Sequence, residues 1–106
     1  MAYRIEFGRE AMQELKKLRK GEQAEVLIRC RTHLTHEPKK ESKSRIKRLR
    51  DDAFPPYRLR IGDLRVFYDV DDGFGVVIIH GVVRKMEAQA WLEASIRRRR
   101  TGDESH

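Results

Sequence analysis

Tyr57-Arg58-Leu59-Arg60-Ile61-Gly62-Asp63-Leu64-Arg65-Val66-Phe67-Tyr68 is the stretch around which the rest of the chain is organised. Two runs rich in aliphatic and aromatic residues flank Gly62-Asp63, and that pair supplies the φ > 0 conformations of a tight two-residue turn. Placing the pair in the loop fixes the cross-strand partners: Ile61 with Leu64, Arg60 with Arg65, Leu59 with Val66, Arg58 with Phe67 and Tyr57 with Tyr68. Side chains alternate with period two, so Tyr57, Leu59, Ile61, Leu64, Val66 and Tyr68 share one apolar face that requires a core. Arg58, Arg60, Arg65 and Phe67 share the other.

The second face carries the functional signal. Like charges directly opposite each other weaken a sheet by a few tenths to ~1 kcal/mol, yet this ribbon sets Arg60 against Arg65 with Arg58 diagonal to them. A solvated polar face is the bland reading. Against it, every charge on the face is a guanidinium, with no Asp or Glu interleaved, and a planar fork of donors suits phosphate bidentately. The face reads as a phosphate or RNA site, with Arg65 expected to point into solvent.

At 106 residues the chain is long enough for one modest core and too short for two. Hydrophobic and charged residues each make up 39%, which describes a very polar surface over a compact interior. A net charge of +7 points to an acidic partner: nucleic acid, an anionic protein segment or a membrane surface. No apolar run approaches the ~20 residues of a membrane span, and the alternating, charged start Met1 to Phe7 reads as a strand rather than a signal peptide. The expected location is cytoplasmic. A single cysteine, Cys30, excludes an internal disulfide and a cysteine zinc cluster, and its apolar helical setting marks an inert buried thiol. Neither metal nor cofactor is expected.

In chain order, Tyr3, Ile5 and Phe7 alternate with polar residues as a first strand. Helical spacing follows from Arg9, with Ala11, Leu15 and Leu18 on one stripe. A second helix is expected from about Glu22 to His36, ended by Pro38. The short connection predicts an antiparallel helix pair packed on the sheet. Residues 39–50 are densely basic, and Lys43, Arg45, Lys47, Arg48 and Arg50 read as an electrostatic funnel for a nucleic-acid backbone, with Ile46 and Leu49 pinned to the core. Pro55-Pro56 delivers the chain into Tyr57. Beyond Tyr68, an acidic turn precedes Phe74 to Val83, whose Val76-Val77-Ile78-Ile79 run reads as a strand covered on both faces. With Asp72-Gly73 as a two-residue turn, His80 falls opposite Arg65. Arg84 and Lys85 close that strand, and a final helix starts near Met86 and carries Trp91. The architecture expected is α+β: an N-terminal strand, an antiparallel helix pair, a three-stranded antiparallel meander and a C-terminal helix. These form one domain over residues 1–97 with a basic, flexible tail over 98–106.

The pattern Tyr-Arg-Leu-Arg-Ile-Gly-Asp-x-Arg-Val-x-Tyr over residues 57–68, in that order of elements, resembles the RelE/ParE superfamily of type II toxins, RelE branch. The resemblance covers Ala2 to about Ile96. It implies a cognate antitoxin, acidic and partly disordered, that wraps the toxin and covers the basic surface. For the RelE branch it implies a ribosome-dependent endoribonuclease that cuts mRNA and inhibits translation. The chemistry implied is a metal-free attack of the ribose 2′-OH on the adjacent phosphorus. Carried over by position, Arg58, Arg60, Arg65 and Arg84 (or Lys85) would hold the scissile phosphate. The family's terminal-helix tyrosine has no equivalent; Ala88, Ala90 and Trp91 are nearest, and Trp91 and Phe67 are expected to stack on RNA. His80 is the candidate proton carrier, since it alone near this face titrates close to neutrality, and Glu87 is a weaker one. Two alternatives stay open: a ParE-like inhibitor of DNA gyrase, and a catalytically weak RNA- or ribosome-binding homologue.

Overall fold

The computed structural model describes residues 2–104, with side chains described for residues 2–98. Its elements are β1 (Arg4–Phe7), α1 (Arg9–Lys16), α2 (Lys20–Leu34), β2 (Ile46–Arg48), β3 (Tyr57–Ile61), β4 (Leu64–Asp71), β5 (Val76–Arg84) and α3 (Lys85–Glu104). The strands form one mixed sheet in the order β1-β5-β4-β3-β2. β1 runs parallel to β5, and every other pairing is antiparallel. The α+β class holds, with one addition. The meander gains an edge strand, because the basic run expected to be a loop contains β2, whose Ile46 pairs with Leu59 and is buried.

The hairpin forms in the expected register from Tyr57 opposite Tyr68 to Ile61 opposite Leu64. Gly62 takes φ +55°, which a side chain would oppose. The apolar face behaves as the alternation dictates: Leu59, Val66 and Tyr68 are fully buried, and they pack in one cluster with Ala11 and Leu15 of α1 and Val26, Cys30 and Leu34 of α2. Complete burial contributes roughly 1.5–3 kcal/mol for each large aliphatic side chain. Within the cluster the Tyr57 and Tyr68 rings stack at 5.4 Å, and the Tyr68 hydroxyl donates to the Pro38 carbonyl at 2.6 Å. Cys30 is buried there, and desolvation pushes its thiol up to about 12.

The opposite face is not open. Helix α3 crosses it, and Trp91 stacks on Phe67 at 4.8 Å with ring planes 8° apart. Phe67 is consequently 2% exposed. Gly81 makes this approach possible, since a Cβ there would fall 2.2 Å from Trp91 Cζ2. Trp91 Nε1 donates to Glu14 Oε2 at 3.2 Å, while the other Glu14 oxygen accepts from the Val82 amide at 2.8 Å. Glu14 thereby caps an unpaired β5 amide and ties α1 to α3. Burial raises its carboxyl above the ordinary value.

Two expectations about β5 change. The β4–β5 connection has four residues, 72–75, and a bulge interrupts the ladder at Phe67/Tyr68. Val83, not His80, therefore lies opposite Arg65. α3 is also helical through Glu104, so no structural boundary falls at residue 97. The remainder of the tail, residues 105–106, lies outside the described residues.

Candidate nucleic-acid interface

Register brings the site together from the sheet outward. Lys47 of β2 lies beside Arg58 of β3, Arg58 beside Phe67 of β4, and Arg60 beside Arg65. These side chains share the face that α3 crosses. Between the sheet and the helix is a cleft of ≈ 210 Å³ lined by Lys47, Arg58 and Arg65 from the strands and by Ala88, Gln89 and Leu92 from α3.

The electrostatics are one-sided. Among the described residues no carboxylate forms an ion pair with Arg58, Arg60 or Arg65. Arg58 is half-buried, and its Nε is buried without a hydrogen-bond partner among the described residues. Desolvation, then Arg65, then Arg60 hold its pKa below the usual guanidinium value. Burial and the Arg60 charge likewise lower that of Arg65, with Asp63 opposing. Both stay cationic at neutral pH, because a guanidinium starts from above ~12. The result is a pair of partly desolvated cations facing a cleft that lacks a counter-charge, the arrangement an oxyanion completes.

Arg65 departs from expectation. It is 6% exposed rather than solvent-facing, and its Nη1 donates to the carbonyls of Gly62 and Leu64, both at 2.9 Å. It braces the hairpin turn while lining the cleft. Arg60 is the exposed member of the three.

Other predicted residues lie elsewhere. Arg84 pairs opposite Leu64 on the core side of the sheet and is clamped bidentately by Glu22 at 2.6 and 2.9 Å, with Asp63 at 3.9 Å. Its guanidinium is therefore engaged away from the arginine face. His80 sits at the bulge, edge-on to Phe54 at 5.1 Å, and does not line the cleft. Phe67 and Trp91 are stacked on each other, which spends one face of each ring; Phe67 keeps only 2% exposure, where it lines the cleft, and Trp91 is half-buried. Arg48 turns to the core side, over the Tyr57 ring at 5.1 Å. Arg45 lines a separate cavity with His33 and His36. Arg50 reaches Asp52 at 3.5 Å across exposed surface. Lys43 and Lys85 are exposed, and the Lys85 amide bonds Asp63 at 2.8 Å. The funnel thus reduces to Lys47 at the cleft and Arg50 in the groove beside it. Gln89 and Leu92 were not anticipated. Their signal was the helical spacing Ala88, Trp91, Leu92, Ser95, which marks the face that α3 turns to the sheet.

Residues 5–88 match the sequence model of a family described as the ParE toxin of the type II toxin–antitoxin system, parDE. No curated protein matches the chain. Among solved structures it is similar to the toxin–antitoxin complex RelBE2 of Mycobacterium tuberculosis, at 25% identity and TM-score 0.62, over 79% of this chain and 99% of that one. The archaeal RelE–RelB complex of Pyrococcus horikoshii gives 24% and 0.57, over 80% and 97%. The isolated RelE toxin of E. coli gives 21% and 0.56, over 91% and 98%.

Proposed function

This chain belongs to the ParE toxin family and is a type II toxin of the RelE/ParE superfamily, and from that premise we propose that it cuts messenger RNA on the ribosome. The observation that carries the proposal is Arg58: a half-buried guanidinium with an unpartnered Nε, repelled by Arg65 and Arg60, at the wall of a cleft. A fold does not retain uncompensated cations at a helix–sheet junction for its own stability. A phosphodiester supplies the missing charge.

In this reading the 2′-OH of one nucleotide attacks the adjacent phosphorus, and the 5′-oxygen of the next nucleotide leaves. The products are a 2′,3′-cyclic phosphate and a 5′-OH end. Negative charge grows on the non-bridging oxygens, and Arg58, Arg65 and Lys47 stabilise it. Losing one such donor reduces rate by about 10²–10³ where the donor is preorganised. Arg60, exposed at the rim, attracts the backbone. The titrating groups proposed from sequence, His80 and Glu87, do not line this cleft, so the 2′-OH proton passes to solvent, solvent returns one to the departing 5′-oxygen, and the cleft itself is assigned charge stabilisation. An antitoxin partner is supported by the RelBE2 and RelE–RelB complexes this chain resembles. We assign its acidic segment to the same cleft.

The test is expression of the toxin with mapping of RNA 5′ ends. Wild type is expected to give new 5′-OH ends within translated transcripts, and Arg58→Met to give none while retaining its circular dichroism. Undiminished cleavage by the variant would remove the arginine mechanism. The family match favours one second reading, inhibition of DNA gyrase. Loss of supercoiling activity in purified gyrase, without RNA ends, would establish it instead.

A further inference from the structure

The cleft is not an isolated hole. A second depression of ≈ 420 Å³ adjoins it, and Lys47, Leu49, Gln89 and Leu92 line both. Past this shared wall the lining changes character. Leu49 and Leu92 are half-buried, and Ala53 at the floor is buried at 7% exposure. Arg50 stands on the rim, and among the described residues its side chain has only a long contact to Asp52 that is open to water. Gln89 lies on the dividing wall, and its side chain's only hydrogen bond among the described residues runs from Nε2 to Glu93 at 3.1 Å. Its carbonyl oxygen is available as an acceptor.

We propose that this groove is a nucleobase subsite, occupied by the base attached to the phosphate held at Arg58 and Arg65. The inference rests on the phosphate reading of the cleft and adds the part of the RNA that the adjoining groove receives. An apolar floor beside an oxyanion site fits an amphipathic ligand with one charged end and one flat, weakly polar end. The volume lies within the range of sites that enclose small ligands. RNA bases stack on aromatic rings or on guanidinium planes. Neither Phe67 nor Trp91 lines this groove, and the Arg48 guanidinium is held over the Tyr57 ring, which leaves the Arg50 plane to cover the base against Leu49, Ala53 and Leu92. The Gln89 amide, a donor and an acceptor on one group, faces the base edge and can pair with any of the four. The subsite therefore contributes binding with mild base preference.

The test compares three ligands by titration of the full chain: inorganic phosphate, ribose 5-phosphate and adenosine 5′-monophosphate. The last two differ only by the base. The nucleotide is expected to bind at least about tenfold tighter than the sugar phosphate, a fold-change of 1.4 kcal/mol. It is also expected to shift the Gln89 side-chain amide and the Leu49, Ala53 and Leu92 methyl resonances, which inorganic phosphate leaves in place. Ala53→Leu, which fills the floor, should bring the two affinities together. Because Ala53 is buried, the methyl map on the wild type carries the test should that variant fail to fold. Equal affinities with no methyl shifts would overturn the base subsite and leave the phosphate site standing. Failure of all three ligands to perturb the Arg58 and Arg65 Nε resonances would overturn the phosphate reading itself, and this inference with it.

Discussion

Replacing Arg58 by methionine should stabilise the fold while disabling the site. A buried donor without an acceptor costs about 1–3 kcal/mol, and the Arg58 Nε is such a donor. Repulsion from Arg60 and Arg65 adds a few tenths to ~1 kcal/mol. Methionine keeps the unbranched stem and removes both terms. Some cost returns through the lost guanidinium packing and the flexible thioether, so the expected net gain is about 1–2 kcal/mol. Each kcal/mol moves Tm by roughly 4–8 °C in a domain near 100 residues. Thermal melts in low salt are the assay. The gap between the two proteins should narrow with added salt, which screens the repulsive part. Inorganic phosphate should raise the wild-type melting point, by about 1.4 kcal/mol at ten times its Kd, and leave Arg58→Met unmoved. A variant that melts at or below the wild-type temperature would show that the guanidinium is satisfied within the fold. The reasoning from uncompensated charge to function would then fail.

Gly81→Ala should drive a methyl into the Trp91 ring, where Cζ2 lies 2.2 Å from the Cβ position, and cost ~1–3 kcal/mol as overpacking. Denaturant midpoints and the emission of Trp91, the one tryptophan of the sequence, read this together, and unchanged emission would contradict the stacked placement. Tyr68→Phe leaves the Pro38 carbonyl without its donor at 2.6 Å and should lower stability by about 1–3 kcal/mol in urea titration. Glu22 is held below its ordinary value of 4.5, chiefly by the Arg84 hydrogen bonds. A depressed carboxyl favours the native state above its unfolded value and loses that contribution as pH falls through the folded one. Stability of the wild type should therefore decline below pH 4.5 more steeply than that of Glu22→Gln, and parallel curves would dismiss the ion pair as a contributor.

The hairpin was legible because one turn pair, Gly62-Asp63, sets every partner from Tyr57 to Tyr68, and period-two alternation then assigns the faces. The site was half legible for the same reason: charge type and side of the ribbon follow from register, but cover does not. Nothing local to Arg65 tells which helix lies over it. Two residues did carry that information jointly. Phe67 is an aromatic among arginines, and Gly81 is a glycine within a strand, each a mark of close approach. His80 was misplaced through the β4–β5 connection, whose length and downstream bulge both shift register, and neither leaves a distinctive residue pattern; Arg84 was placed by resemblance alone, and nothing near it in sequence announces its partner Glu22, 62 residues away. β2 was hidden because three residues suffice for it and only Ile46 is apolar.

The parallel pairing of β1 with β5 has a consequence for when the toxin comes into being. Arg4 to Phe7 are made well before their partners Val76 to Ile79, which lie 72 residues further along the chain. The opening strand must wait for them, and α3, the wall of the cleft, is synthesised later still. Pairings so remote in sequence close slowly. A nascent chain therefore carries Arg58, Arg60 and Arg65 before the helix that walls their cleft exists to cover them.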